Sequence, residues 1–567
     1  MRCEPSYLRS MAFLLLAWLL ILPPTVVHAG LMTHVNQSAA FVRMPARNAT
    51  TGIDGVYYNP AGLTGLNEGW HFSISNQFLS RDGEVENDYV HLTGAPSSVF
   101  SADTDAGLLP GVYAVYRINN SAFSLGVNCI RGSGHTDFGR GLPAFEMIVA
   151  DLVPALHGVY GVTGYTSHMD FEETSNSFGY QIGVSQRISP AVSLFAGGRL
   201  TTVKRTYEGG LRDISVNPTT GYDGSYRSAE AFAAASATSF ASLGQSYSGA
   251  TVSTQELINA GTGNLTLAQV QTMGYITSTQ RAQYESALTA LGLTPAQVAA
   301  MNMNQVHAEF GTAENYYTSN AALMNGIRWL TADRELEVTQ TGSGFAPILG
   351  VAFTPGREWT VGLKYEFATK LELKNDTRRD DFGSFPDGAK IRNDLPAQFS
   401  LGVSYASGSR VVVSSGLNYY FDRDADYGLV DTMGVAIENS DIIDAGYLEL
   451  AAGAECRMSP KVLLSAGYMY GRSGVSEAYQ SLIGFSLDAH TLGFGGEYRV
   501  APNFALNIGF SSIFYRGDTR EFYHDQSVPV LLPYGIEREP LPPTPVTERF
   551  SRSDLILAIG IDYSIPR

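Results

Sequence analysis

Charge is scarce in this chain: only 16% of its 567 residues are Asp, Glu, Lys or Arg, against roughly 25% in an average soluble protein. A surface so poor in charge argues against a freely soluble protein. Basic excess is missing too, since 37 Lys and Arg face 54 Asp and Glu for a net charge of -17. That balance excludes the clustered cationic surface that binding to nucleic acid requires. Cysteine is nearly absent, with three in all; Cys129 and Cys456 lie too far apart for metal-ligand spacing and read as small apolar wall residues. Beyond the N-terminal leader no run of 18 strongly apolar residues occurs, which excludes a helical membrane protein. Catalytic signatures are missing as well: there is no GxSxG, no HExxH and no specific pairing of serine with histidine. Asp422, Asp424 and Asp426 have the spacing of a calcium loop, but the glycine comes one position late at Gly428 and position twelve is Met433. A solvated loop is the expectation there, with no metal, no cofactor and no enzymatic activity in the chain.

What is plentiful is glycine (59), tyrosine (31) and phenylalanine (28), a composition of strands and close backbones. Residues 1–29 read as a secretory signal: Arg2 and Arg9, an apolar run from Met11 to Leu22, Pro23-Pro24, and Val27-His28-Ala29 before the cleavage point. As a helix that run covers about 18 Å, too little for a bilayer core of about 30 Å.

From residue 69 onward the chain alternates with period two. Leu555, Leu557, Ile559, Ile561, Tyr563 and Ile565 share one face, and Ile556, Ala558, Gly560, Asp562 and Ser564 the other. The pattern predicts strands at 69–80, 109–118, 121–131, 176–187, 191–207, 341–353, 358–373, 396–406, 409–421, 445–457, 460–472, 487–499, 503–515 and 552–565. Very short turns such as Ala406-Ser407-Gly408 alternate with long loops, and the strand count is even. Those features predict an all-β fold, a 14-stranded antiparallel transmembrane β-barrel over residues 69–567. Closure follows from physics, because an open edge in hydrocarbon leaves backbone groups unsatisfied at several kcal/mol each. Trp70, Trp359, Tyr365, Tyr468, Tyr498 and Tyr563 suit interfacial girdles, while Arg199, Lys364, Glu366, Glu449, Glu455, Arg457, Glu497 and Arg499 fall on the lumen face. Residues 208–340 break the alternation with helical stretches at 229–243, 277–291 and 294–310, and form the third, large extracellular loop. Residues 30–68 are too polar for a wall strand, so they lie in the periplasm or plug the lumen.

The segments Asn36-Gln37-Ser38-Ala39, Asn48-Ala49-Thr50 and above all Tyr57-Tyr58-Asn59-Pro60-Ala61-Gly62-Leu63 resemble the N-terminal hatch of the FadL/TodX family of bacterial outer-membrane transporters. Gly342-Ser343-Gly344-Phe345 and Leu395-Pro396-Ala397-Gln398-Phe399-Ser400-Leu401-Gly402 are similar to further segments of that family. The resemblance covers both ends and most of the barrel, but not the insert. Two features depart from it: the chain ends Ile565-Pro566-Arg567 without a terminal aromatic, and the third loop is unusually large. The resemblance implies a hatch at 30–68, with Asn59, Pro60, Ala61 and Gly62 as its motif. It also implies passive transport of long-chain fatty acids or hydrocarbons, with lateral release into the bilayer of the bacterial outer membrane. Expected partners are a hydrophobic small molecule, membrane lipid and lipopolysaccharide, with the barrel acting as a monomer. Lumen-facing Phe195, Ile348, Leu463 and Met469 either line a ligand pocket or pack the plug. Arg199 and Lys364 either meet a ligand carboxylate or neutralise Glu366 and other lumen acids. The rival readings are a water-filled porin and a barrel-embedded lipid enzyme or adhesin.

Overall fold

The computed structural model describes residues 38–92, 99–430, 436–480, 485–536 and 542–567, so the signal at 1–29 and the first two residues of the Asn36-Gln37 motif lie outside it. One antiparallel sheet holds eighteen strand segments. Four of them (Arg227–Ser228, Glu372–Asp380, Lys390–Arg392 and Asp518–His524) are short pieces at the outer rim. The other fourteen make the wall: β1 Gly69–Asn87, β2 Val99–Ile118, β3 Ser121–Asp137, β4 Tyr165–Arg187, β5 Val192–Val216, β6 Arg334–Phe353 and β7 Trp359–Glu366, then β8 Gln398–Ser407, β9 Val411–Tyr420, β10 Leu448–Arg457, β11 Val462–Arg472, β12 Ala489–Ala501, β13 Phe504–Tyr515 and β14 Thr544–Pro566. The sheet closes on itself, because β1 pairs with β14 from Gly69↔Pro566 to Asn87↔Glu548.

The alternation decides which face meets lipid. Ile74, Ile182, Phe494, Ile508 and Ile559 are exposed, while Ser75, Gln181, Thr491 and Asn507 point inward and are buried. A closed antiparallel barrel with such an outward apolar band is the architecture of a bacterial outer-membrane protein. Among the described residues no helix is long and apolar enough to cross a membrane.

Strands β1–β6 and β14 run further outward than the sequence pattern predicts, whereas β7 ends at Glu366, short of the expected 373. β5 has 25 residues, where a spanning strand needs about 10. Its outer half, with Thr206, Glu208 and Arg212, stands clear of hydrocarbon and so loses the apolar alternation that marks the inner half. For the same reason the stretch read as a third loop begins later and ends earlier, with β5 running to Val216 and β6 starting at Arg334.

Between β3 and β4 lie α3 Pro143–Ala150 and α4 Leu152–Tyr160, numbered after α1 Ala39–Arg43 and α2 Gly55–Tyr58 of the N-terminal segment. The large insert holds α5 Ala229–Leu257, α6 Leu267–Thr272, α7 Ser278–Ala290, α8 Pro295–Ala300 and α9 Met303–Leu330. Capping boxes start four of them, with Thr266/Gln269, Thr277/Gln280, Thr294/Gln297 and Asn302/Gln305. The repeated Leu-Thr at 265–266 and 293–294 thus marks two helix starts. The base of the insert joins the barrel mouth, where Phe232 of α5 and Met324 of α9 share one apolar core with Leu156, Tyr165 and Leu211.

Residues 38–66 are packed against the inward face of the wall. Their backbone comes so close that the wall carries glycine where they touch: a Cβ on Gly509 would sit 2.6 Å from the Ala39 carbonyl, one on Gly467 2.8 Å from Pro45 Cδ, and one on Gly416 2.9 Å from Asn48 Oδ1. Gly402 meets the Asn48-Ala49 backbone in the same way, and Gly362 meets Asn48 O and the Asn59 side chain. These glycines sit opposite one another across strands, as Gly362↔Gly402 and Gly402↔Gly416 show. Gly509→Val is therefore expected to cost about 1–3 kcal/mol, read as a lower heat-modification temperature and protease access to residues 38–66. Gly356→Val, with nothing within 4 Å of the new Cβ, should leave both unchanged.

Candidate functional site

The lower lumen is a buried polar network. Arg199, 1% exposed, donates through Nη1 to Glu366 Oε1 at 2.6 Å and through Nη2 to Gln181 Oε1 at 2.7 Å. Lys364 donates to the Tyr57 carbonyl at 3.1 Å and lies 3.7 Å from Glu366 Oε2. Both cations also stand over the Tyr57 ring, at 4.6 and 4.7 Å from its centroid. Arg199 and Lys364 are thus occupied by Glu366 and by the N-terminal segment, and a ligand carboxylate would have to displace Glu366 to reach them. A second set ties the segment to the wall, with Arg43 and Arg47 each 3.2 Å from Glu455 and Arg47 2.7 Å from Asp54.

Asn59 is buried, and its amide donates to the Thr50 carbonyl at 2.9 Å, nine residues back rather than within its own turn. Pro60 opens a 3-10 turn, Pro60–Gly65, and its carbonyl accepts from Ser185 Oγ at 2.6 Å. Gly62 abuts Asn59 and the Thr50 carbonyl, where a Cβ would come within 2.7 Å of the oxygen. Ala61 packs with Phe195, Ile348 and Ala352 in a small apolar cluster. Phe195 and Ile348 therefore touch the N-terminal segment. Met469 sits in a different cluster with Phe41, Tyr57 and Tyr58, and Leu463 is buried in the wall apart from both. A pocket at this level, among Tyr57, Lys364, Gln398, Tyr420 and Glu449, measures about 10 Å³.

The upper lumen carries apolar clusters set among buried ion pairs such as Arg205–Glu173 and Arg81–Asp554, and these clusters are what the alternation did not single out. Val85, Phe138, Phe171, Tyr207, Leu336 and Phe385 form one cluster inside the outer half of the barrel. Beside it Phe145, Met169, Phe171, Leu336 and Phe382 enclose a cavity of about 30 Å³, so a ligand of several carbons needs those rings to move apart. Lower down, Leu79, Ala106, Ile513, Ile556 and Ala558 meet Ala39 and Val42 of the N-terminal segment, with Leu109 packed alongside. Over the mouth, Asp151 accepts from Tyr89 Oη at 2.5 Å, from Ser527 N at 2.6 Å and from His524 Nε2 at 3.1 Å, fastening α4 to the outer strands. Burial holds the neighbouring His91 imidazole below its ordinary pKa, against the pull of Asp151.

The wall is irregular next to Ala106 and Leu109. The register of β2 with β3 is lost between Asp105↔His135 and Gly111↔Asn128. At the same level β1/β2 shifts between Gln77 and Leu79, and β3/β4 shifts on both sides of Arg131. Pro110 brings no donor to the ladder, and Gly107, Gly132 and Gly134 weaken it. These were the available signals, but the same residues resemble strand ends, and the sequence reading stops or starts strands at 80, 109 and 131.

Replacing Glu366 by Gln leaves Arg199 and Lys364, with side chains each 2% exposed, without their carboxylate. The expected loss is about 3 kcal/mol or more, measured as a lower unfolding temperature of the purified barrel.

No protein-family model and no curated protein sequence matches the chain. Solved structures do. A FadL homologue of Pseudomonas aeruginosa aligns over 94% of this chain and 99% of its own, at 12% identity and a TM-score of 0.53. The Pseudomonas putida toluene transporter TodX aligns over 94% and 99%, at 14% identity and a TM-score of 0.48. The Ralstonia pickettii toluene transporter TbuX aligns over 92% and 98%, at 13% identity and 0.43. With its fourteen-stranded wall closed around residues 38–66, the chain has the fold of a FadL-type outer-membrane barrel.

Proposed function

We propose that the protein passively carries hydrophobic compounds, long-chain fatty acids or hydrocarbons, across the bacterial outer membrane, with residues 38–66 as a hatch and with release sideways into the bilayer. The observation that carries this reading is the run of apolar clusters through the outer half of the lumen, from Phe171 and Leu336 down to Ala39 and Val42 of the N-terminal segment. An apolar molecule gains about 0.8 kcal/mol for each CH2 withdrawn from water, which favours entry into the upper clusters. It has no such incentive to continue past Arg199, Lys364 and Glu366, where a pocket measures about 10 Å³. The close packing at this level disfavours a water-filled porin.

The exit this reading requires is the β2/β3 sector, where Ala106 and Leu109 line the lumen beside the interrupted ladder. Leu108, on the outer side of the same stretch, is 74% exposed and would deliver the compound to acyl chains. One chain completes the closed wall and leaves no free sheet edge, which is compatible with a monomer set among lipid and lipopolysaccharide. No catalytic step is invoked.

Ala106→Trp crowds the inner side of this stretch. It should cut cellular uptake of a long-chain hydrocarbon at least tenfold while the barrel stays heat-modifiable. Val413→Trp, lipid-facing on β9, should change nothing. Undiminished uptake in a folded Ala106→Trp barrel would remove the lateral exit at this sector.

A further inference from the structure

The lipid-facing wall is not uniformly clad. Over β8–β11 it carries a groove of about 460 Å³, within the size range of sites that hold small molecules. The row Val403↔Ser415↔Ala452↔Tyr468 crosses the four strands with two small side chains at its centre. Many outward positions elsewhere in the apolar band hold Ile, Leu or Phe, as at Ile508 and Leu557. The groove floor adds backbone at Gly402 and Gly416, against which Asn48 presses from inside. The wall is thin here because it has been stripped of side chains on both faces. A leucine row, Leu401↔Leu417↔Leu450, bounds the groove on its extracellular side. Toward the periplasm the next outward row offers only Ala454↔Ala466 beyond Val413.

Charge identifies the end at which a polar group would sit. The turns beneath the groove, β8–β9 and β10–β11, carry exposed Arg410 and Lys461 and no acid. Neither base has an ion-pair partner among the described residues. By contrast the β6–β7 turn sets Arg357 beside Glu358, and the turns at Asn119-Asn120 and Pro502-Asn503 are neutral. From Ser415 to Arg410 is five residues, about 17 Å of strand, close to the roughly 15 Å depth of one leaflet of a 30 Å core. The aromatic pair Trp359 and Tyr405, with ring centroids 4.7 Å apart, lies between those levels as an interfacial girdle.

We propose that this groove is a binding site for one anionic phospholipid of the periplasmic leaflet, an acyl chain filling the groove over Ser415 and Ala452 and the phosphate held by Arg410 and Lys461. A hydrocarbon chain there replaces a void whose lining would otherwise lose its dispersion contacts. The two cations give the site a preference for net negative headgroups.

Full-length barrel, purified in mild detergent and supplied with equal amounts of phosphatidylglycerol and phosphatidylethanolamine, can be read by native mass spectrometry. One phosphatidylglycerol should stay bound to the wild-type barrel. Ala452→Leu, which fills the groove, should reduce that adduct at least fivefold. Arg410→Gln with Lys461→Gln should keep an adduct but abolish the preference for phosphatidylglycerol. Ser512→Leu, outward on β13, should behave as wild type, and heat-modifiability verifies the fold of each variant. An adduct undiminished in Ala452→Leu, or an anionic preference that survives the double substitution, would overturn the assignment, as would a wild type that retains neither lipid.

Discussion

The rest of the structure depends on one steric fact: the backbone of residues 38–66 lies in contact with the inner surface of the wall, and the wall has given up its side chains to let it. Gly402, Gly416, Gly467 and Gly509 have no room for a Cβ against Asn48, Pro45 and Ala39. Strand propensity alone would argue against glycine at these positions. Close approach explains them. It also fixes the electrostatics, because a segment seated this tightly brings Arg43 and Arg47 against Glu455 of the wall, with Asp54 of the segment completing the set, and leaves Arg199, Lys364 and Glu366 with one another and with Tyr57.

From that seating follows the division of the barrel. Below, paired charges and hydrogen bonds hold the segment in place. Above it, Phe171, Tyr207, Leu336 and their neighbours form an apolar cluster beside buried ion pairs such as Arg205–Glu173. Between the two, Ala39 and Val42 of the segment meet Leu79, Ala106 and Ile556 of the wall, beside the stretch where β2 and β3 lose register. The proposed apolar path thus ends beside a stretch where the ladder loses register, which is why the proposed release is placed there.

Much of this fold was legible in the sequence. Period-two alternation at 504–514 and 555–565 marks strands because lipid and lumen make opposite demands on alternate residues, and Thr294 followed by Pro295 marks a helix start that the structure caps with Gln297. What could not be read has definite causes. The outer halves of β4 and β5 leave the hydrocarbon, so their polarity says nothing of strand. Gly107 and Pro110 interrupt a wall strand in the same language that ends one. The role of Arg199 rests on Glu366, which lies 167 residues away and reaches it only through the order of strands around the barrel. Alternation placed Arg199, Lys364, Phe195, Ile348 and Met469 on the inner face; contact with the N-terminal segment, which alternation cannot see, gives all but Leu463 of the lumen-facing candidates a packing partner there.

The account turns on the route of an apolar molecule through a filled barrel. Its most direct test is a crystal structure of the protein saturated with a long-chain hydrocarbon. The account predicts elongated density above residues 38–66, running from Phe171 and Leu336 to Ala106 and Leu109, with the polar layer around Arg199 and Glu366 intact. Density or ordered water continuing along the axis past Tyr57 and Lys364 to the periplasmic end would contradict it.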